Sequence, residues 1–256
     1  MAVRRSLADT PFIRGVSLLR ADVPSFERYP YSIPAVRHLD ELPLDYVTIF
    51  VGENATGKST LVEAIAVAAG FNPEGGSRNF SFATHPTHSG LVQALRLIRG
   101  VRRPRTGYFL RAESYYNVAT EIARLDEIPD AGPLISPAYG GDPHTRSHGE
   151  SFLALAVHRF GKQGLYVLDE PEAALSPAGC IRLLLRMRQL VAEGGQFIYA
   201  THSPLLMAYP GATIYLIDDA GPRKVAFDEL EHVRLMRDFL AAPERFVQAL
   251  LEEPPE

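Results

Sequence analysis

The sequence predicts an α/β fold with a parallel core sheet, an antiparallel β flank and a helical part, on three observations. The stretch Gly52-Glu53-Asn54-Ala55-Thr56-Gly57-Lys58-Ser59-Thr60 stands between a β-branched apolar run, Tyr46 to Val51, and a run of helix formers, Leu61 to Ala69, closed by Gly70. Leu165 to Leu168 is a second apolar run, ending in the adjacent carboxylates Asp169 and Glu170. Gln196 to Ala200 is a third, followed by Thr201-His202-Ser203-Pro204. Short apolar runs alternating with helical stretches read as parallel strands buried on both faces.

Each run delivers polar residues to its carboxyl end, and their types suggest one chemistry. The first stretch has the spacing G-x-x-x-x-G-K-[ST], a loop whose backbone N–H groups wrap nucleotide phosphates. In that loop Lys58 reaches the β- and γ-phosphates, and the Ser59 hydroxyl takes a position on Mg²⁺. A chance glycine turn is the bland alternative, and the strand before it and helix after it argue against that. Adjacent carboxylates at the end of a buried strand are costly unless a cation or donor meets them. Beside a phosphate loop that cation is Mg²⁺, with Asp169 holding it through its water shell and Glu170 polarising the attacking water. His202, at a strand end among Thr and Ser, suits a donor to a γ-phosphate, although such a residue alone is more often a satisfied turn histidine.

Composition narrows the class. With 256 residues, 46% hydrophobic and 22% charged, the chain has the make-up of an ordinary globular protein, and no linker divides it, so one domain over 1–256 is expected. No apolar run has the length of a membrane span, which argues against direct membrane insertion. Met1 to Thr10 lacks the apolar core of a signal peptide, and Cys180 is the single cysteine, so a cytoplasmic, disulfide-free protein is expected. A net charge of −4 gives no whole-molecule attraction to nucleic acid.

In chain order, Pro11 to Arg20 suits a first strand, and the proline-rich Val23 to Leu44 reads as strands and turns of the antiparallel flank. Tyr29 and Tyr31 lie ahead of the phosphate loop, where an aromatic ring stacks on a base; plain packing is the favoured reading for both. Phe71 to Ser89 is mostly loop, and its His85 and His88 lack the Cys or carboxylate neighbours of a metal site. The runs Leu91 to Ile98 and Tyr108 to Leu110 flank a Pro-Arg-Gly segment, and a β-hairpin is expected there. Its arginines, Arg102, Arg103 and Arg105 with Arg96 and Arg99, form either a solvated tip, the favoured reading, or a phosphate-contacting patch.

Asn117 to Ile128 looks helical, and Pro129 to Pro143 is loop. Ser147-His148-Gly149-Glu150-Ser151 then opens a helix. Ser147 and Glu150 have capping-box spacing, and the same helix N-terminus suits a phosphate. Pro177 to Val191 is expected as a helix with Ile181, Leu184, Leu185 and Arg188 at helical spacing. Thr213 to Ile217 reads as a strand, Val225 to Phe227 as a short edge strand, and Glu229 to Leu251 as helices.

Taken together, Gly52 to Thr60, Ser147 to Ser151, Leu165 to Ser176 and Phe197 to Ser203 resemble the nucleotide-binding core of ABC-type ATPases. Within that superfamily the chain is most similar to small stand-alone bacterial proteins labelled AAA-family or predicted ATPases. The resemblance implies that Lys58 and Ser59 belong to the Walker A motif, and Asp169 and Glu170 to Walker B. It puts Ser147 and Gly149 in a signature motif that closes over ATP on a second subunit, within a helical part over about 117–162. Ala173 to Ser176 fall on the D-loop and His202 on the switch histidine. There are departures: His148 and Glu150 replace a glycine and the glutamine of the usual signature, and Ser176 replaces the D-loop aspartate. Ala55 replaces a frequent glycine, which is harmless only if its φ is negative. Glu113 is the nominee for the Q-loop glutamine. No sustained heptads occur, so an SMC-type coiled-coil arm is absent.

The expectation is an ATP- and Mg²⁺-dependent hydrolase that sandwiches ATP in a homodimer. The alternatives are a nucleotide-gated module that binds a protein or a nucleic acid with little hydrolysis, and the motor subunit of a transporter.

Overall fold

The computed structural model describes residues 10–77, 90–111 and 148–252. His85, His88, Glu113, the helix expected at 117–128 and Ser147 lie outside the described residues.

A seven-stranded sheet holds the centre. Its strands, in spatial order, are β10 (Gly221–Val225), β9 (Thr213–Asp218), β3 (Val47–Gly52), β8 (Gln196–Ala200), β7 (Gly164–Asp169), β6 (Thr106–Arg111) and β4 (Gly76–Ser77). The inner five are parallel, and β10 and β4 run antiparallel at the two edges. Alternate side chains serve two cores. Phe50, Val167 and Ile198 pack with Leu61 and Ile65 of α2 (Lys58–Ala68), while Ile49, Tyr166 and Tyr199 face the opposite side. That opposite side is covered by α4 (His148–His158), α5 (Pro177–Ala192), α6 (Pro204–Met207) and α7 (Glu231–Ala241), with α8 (Pro243–Glu252) following. Apolar residues on both faces are what make the central strands parallel and buried.

The antiparallel flank is a second, three-stranded sheet, in the order β2 (Glu41–Pro43), β1 (Ile13–Leu18) and β5 (Leu95–Arg99). The short helix α3 (Leu91–Ala94) leads into β5, whereas α1 (Pro34–Arg37) lies against β9 and β10 of the main sheet. One buried side chain joins the flank to the main sheet. Gln196 accepts the Ile13 N–H on Oε1 at 2.9 Å and donates from Nε2 to the carbonyls of Ile13 at 2.7 Å and Asp45 at 3.1 Å. The amide thus imitates one rung of a β-ladder between sheets. Gln196→Leu keeps the volume but strands the buried N–H and carbonyl of Ile13, so unfolding free energy is expected to fall by about 2–4 kcal/mol. Urea denaturation measures this, with an unchanged midpoint as the contrary result.

The expected hairpin between Leu91–Ile98 and Tyr108–Leu110 does not form. Leu91 to Ala94 is helical, β5 pairs with β1, and β6 pairs in parallel with β7. The Pro-Arg-Gly segment is a crossover between sheets, tied by Gly100 N–H to Phe12 O and by Arg105 N–H to Gln163 O. Arg102 is correspondingly not on a solvated tip. Its guanidinium donates to Thr10 O and the Tyr46 hydroxyl and lies over the Phe12 ring, whereas Arg103 and Arg105 are exposed.

Three smaller points are refined by the packing. The buried face of α5 is Cys180, Leu183, Met187 and Leu190, and Ile181, Leu185 and Arg188 point outward. Both sets recur at helical spacing, so only the neighbouring elements decide which is covered. The edge strand lies at Gly221–Val225, and Phe227–Glu229 is a 3₁₀ turn. Within Val23 to Leu44 the one strand is β2, and Tyr31 is buried with its hydroxyl on Gly90 O.

Candidate active site

Three parallel strands end together. Phe50 of β3 is level with Ala200 of β8, and Ala200 with Asp169 of β7, so the segments that follow leave the sheet side by side. Thr201 N–H donates to Phe50 O, and Glu170 N–H to Ala200 O, at 3.1 Å each. This brings Gly52 to Thr60, Asp169–Glu170 and His202 to one edge, the carboxyl end where open α/β sheets place their ligands.

The loop from Gly52 to Gly57 is braced from within and behind. Thr56 Oγ1 donates to Glu53 O at 2.9 Å, and Ala35 N–H donates to Thr56 O at 3.2 Å. Gly57 has φ 96°, a left-handed conformation that favours glycine, and a Cβ there would also push against the Ile33 side chain. Ala55 also has positive φ, 65°, which contradicts the condition under which alanine is harmless at that place. The left-handed region costs an L-alanine roughly 1–2 kcal/mol, borne here within a loop fixed at both ends.

Lys58 opens α2 and is almost wholly buried, with Nζ donating to Gly52 O at 2.9 Å and Glu53 O at 2.7 Å. Burial lowers its pKa, opposed by the charges of Glu170, Asp169, Glu53 and Glu172. The ammonium therefore sits desolvated among carbonyls and facing carboxylates. Ser59 and Thr60 follow it in the first turn of α2, and the Thr60 hydroxyl is 3.4 Å from the hydroxyl of the exposed Tyr29.

Asp169 is buried at the end of β7. Glu170 adopts φ 48° and turns the chain into the 3₁₀ segment Pro171–Ala174. His202 Nε2 lies 3.5 Å from Glu170 Oε1, both side chains being partly exposed. Hydroxyl, carboxylate and phosphate oxygens are the hard donors Mg²⁺ selects, and Ser59 with Asp169 supplies the first two.

Gly149, in the first turn of α4, packs on the Pro171–Ala174 turn, where a Cβ would approach Ala174 O to 2.8 Å. The other end of α4 is held from α5: Arg186 donates to the carbonyls of Ala156, Val157 and Phe160. Ser176 is the N-cap of α5, accepting from Gly179 N–H at 3.2 Å, so the serine at the D-loop position has a structural task.

Two contacts escaped the sequence reading. Glu63 of α2 pairs with Arg111 at 2.9 Å, and Arg111 is level with Asp169 on the adjacent strand. Glu172 accepts the backbone N–H groups of His202 and Ser203. A third carboxylate just past Asp169-Glu170-Pro171 was the available signal for Glu172. Nothing in the sequence paired residues 63 and 111.

A glycine loop between a parallel strand and a helix, with acidic and histidine termini on neighbouring strands, defines a phosphate-loop NTPase. Residues 151–208 match the family described as "AAA domain, putative AbiEii toxin, Type IV TA system". A "Putative ABC transporter ATP-binding protein" of Streptomyces coelicolor is 34% identical over 190 residues, covering 69% of this chain and 32% of its own length. One of Streptomyces avermitilis is 33% identical over 175 residues, covering 63% and 30%. The chain spans about a third of the length of these curated relatives. Among solved structures, the SMC head domain from Thermotoga maritima is 16% identical, with a TM-score of 0.43 over 84% of this chain and 98% of that one. The chain is a member of the ABC-type ATPase superfamily.

Proposed function

We propose that this protein binds ATP with Mg²⁺ and hydrolyses it between two copies of the chain, as a single domain acting in the cytoplasm. The observation that carries this is the convergence of Lys58, Asp169, Glu170 and His202 at one level of the sheet edge. Backbone N–H groups from Gly52 to Thr60 and the Lys58 ammonium hold the phosphates. Ser59 and Asp169 hold the Mg²⁺, which neutralises charge on the phosphate oxygens. Glu170 takes the proton of the attacking water, and His202 donates to the γ-phosphate.

The placement of α4 supports the dimer: it packs on the face of the sheet opposite α2, which leaves Gly149 for a nucleotide held by another copy, with Ser147 joining it as the resemblance implies. The names of the Streptomyces relatives favour a second reading, the motor subunit of a transporter; among the described residues no helix is long and apolar enough to cross a membrane. Nucleic-acid contact, where it occurs, falls to Arg103 and Arg105, since Arg102 is engaged internally.

Calorimetric titration with ATP, phosphate release with and without Mg²⁺, and light scattering test the proposal together. The expected result is Mg²⁺-dependent release and a mass that doubles with ATP when hydrolysis is slow. Binding without release would leave a nucleotide-gated module, and no binding would remove the reading altogether.

A further inference from the structure

The turn after β7 carries two glutamates that meet one histidine from different sides. Glu170 stands against the His202 imidazole, Nε2 to Oε1, at 3.5 Å. Glu172, two residues on, accepts on its own Oε1 the backbone N–H of His202 and, at 3.2 Å, that of Ser203. Thr201 Oγ1 also accepts the Ser203 N–H, at 3.0 Å. Pro171 between the glutamates fixes one backbone torsion, and Glu170 N–H ties the turn to Ala200 O. The chain segments 170–172 and 200–203 thus form a closed ring of contacts around the gap between Glu170 and the imidazole.

The second oxygen of Glu172 is buried without a hydrogen-bond partner among the described residues. Leaving a carboxylate oxygen so costs free energy, and a residue kept for packing alone would avoid that cost. What the carboxylate gains is two converging N–H donors, and those donors belong to the residues that set where the imidazole hangs. A carboxylate accepting such bonds makes them about twice as strong as neutral ones.

From this geometry we infer that Glu172 is a positioning residue: it fixes His202 by the backbone so that the imidazole stays against Glu170 and the γ-phosphate position. This rests on the ATP-hydrolysis reading for its consequence in rate, while the placement of His202 is independent of it.

The experiment compares Glu172→Ala, Glu172→Gln, His202→Ala and the double variant Glu172→Ala/His202→Ala, with thermal melting to confirm folding. Glu172→Ala is expected to lower kcat by about 10–100-fold and leave KM within about threefold, the pattern of a lost transition-state contact. Glu172→Gln keeps an oxygen acceptor in the same place and is expected to restore kcat to within about threefold of the parent. The double variant is expected to be no slower than His202→Ala, because residues acting through one another are not additive. Wild-type kcat in Glu172→Ala, failure of Glu172→Gln to rescue, or losses that multiply would each overturn the inference.

The His202 amide proton, read by NMR, decides the matter without turnover. It is expected downfield in the parent and upfield, with faster exchange, in Glu172→Ala. An unchanged resonance overturns the inference even in an active enzyme, whereas a shifted one in a protein that binds ATP without hydrolysing it removes only the hydrolysis reading.

Discussion

Glu170→Gln is expected to reduce ATP turnover by about 10³-fold while ATP affinity stays within a few-fold of the parent, and to trap a dimer. A general base contributes about 10²–10⁴-fold, and the amide keeps the shape of the side chain but cannot take a proton. Its surroundings favour a clean substitution. The backbone at 170 is held by the N–H bond to Ala200 O and by the turn that follows, and the side chain is partly exposed, so nothing in the core has to move. The amide oxygen stands opposite the His202 imidazole where a carboxylate oxygen stood at 3.5 Å. With binding intact and chemistry stalled, two copies joined over ATP accumulate, and light scattering with Mg-ATP reads a doubled mass. Turnover above about a tenth of the parent would remove Glu170 as the base. A monomer in every nucleotide state would remove the sandwich and leave a single-chain ATPase.

Lys58→Ala is expected to raise the Kd for ATP by at least about 10²-fold with the fold retained. Hydrogen bonds to charged groups contribute about 1.5–3 kcal/mol each, roughly 10- to 150-fold, so losing two of them on the phosphates accounts for that factor. The ammonium donates to Gly52 O and Glu53 O, lies in the field of Glu170, Asp169, Glu53 and Glu172, and is buried enough that desolvation lowers its pKa. A cation held at that cost adds little to stability, so the melting temperature should change far less than the affinity. Calorimetry beside a melting curve separates the two quantities. Unchanged affinity in a folded variant would take away the phosphate-loop assignment, and with it the roles proposed for Asp169, Glu170 and His202.

Elements whose chemistry is local can be read from adjacent residues alone. Val47–Gly52, Lys58–Ala68, Gly164–Asp169 and Gln196–Ala200 lie within a few residues of where apolar runs, glycines and helix formers placed them. Strand interiors buried on both faces need continuous apolar stretches, and a phosphate loop needs its glycine spacing, so both leave a mark on adjacent residues. That Lys58, Asp169, Glu170 and His202 come to one sheet edge was legible for the same reason, since each follows a parallel strand; their chemical roles are those proposed above.

What depends on a distant partner emerges only when the chain is folded. Leu91 to Leu110 carries hairpin signals, yet β5 and β6 go to different sheets because β1 and β7 offer each of them a better neighbour. Arg102 looked like surface charge until Thr10, Phe12 and Tyr46 enclosed it. The covered face of α5 was fixed by the sheet beneath it, which selected Leu183 and Met187 over Ile181 and Leu185. Gln196, at the edge of an apolar strand, gave no sign that Ile13 and Asp45 would come to its amide. Glu172 showed itself as a carboxylate, but the N–H groups it holds lie some thirty residues on, and only the pairing of β7 with β8 brings them within reach. Hydrogen bonds and burial act over a few ångströms in space whatever the separation along the chain, so contacts of this kind become visible only once the strands are in register.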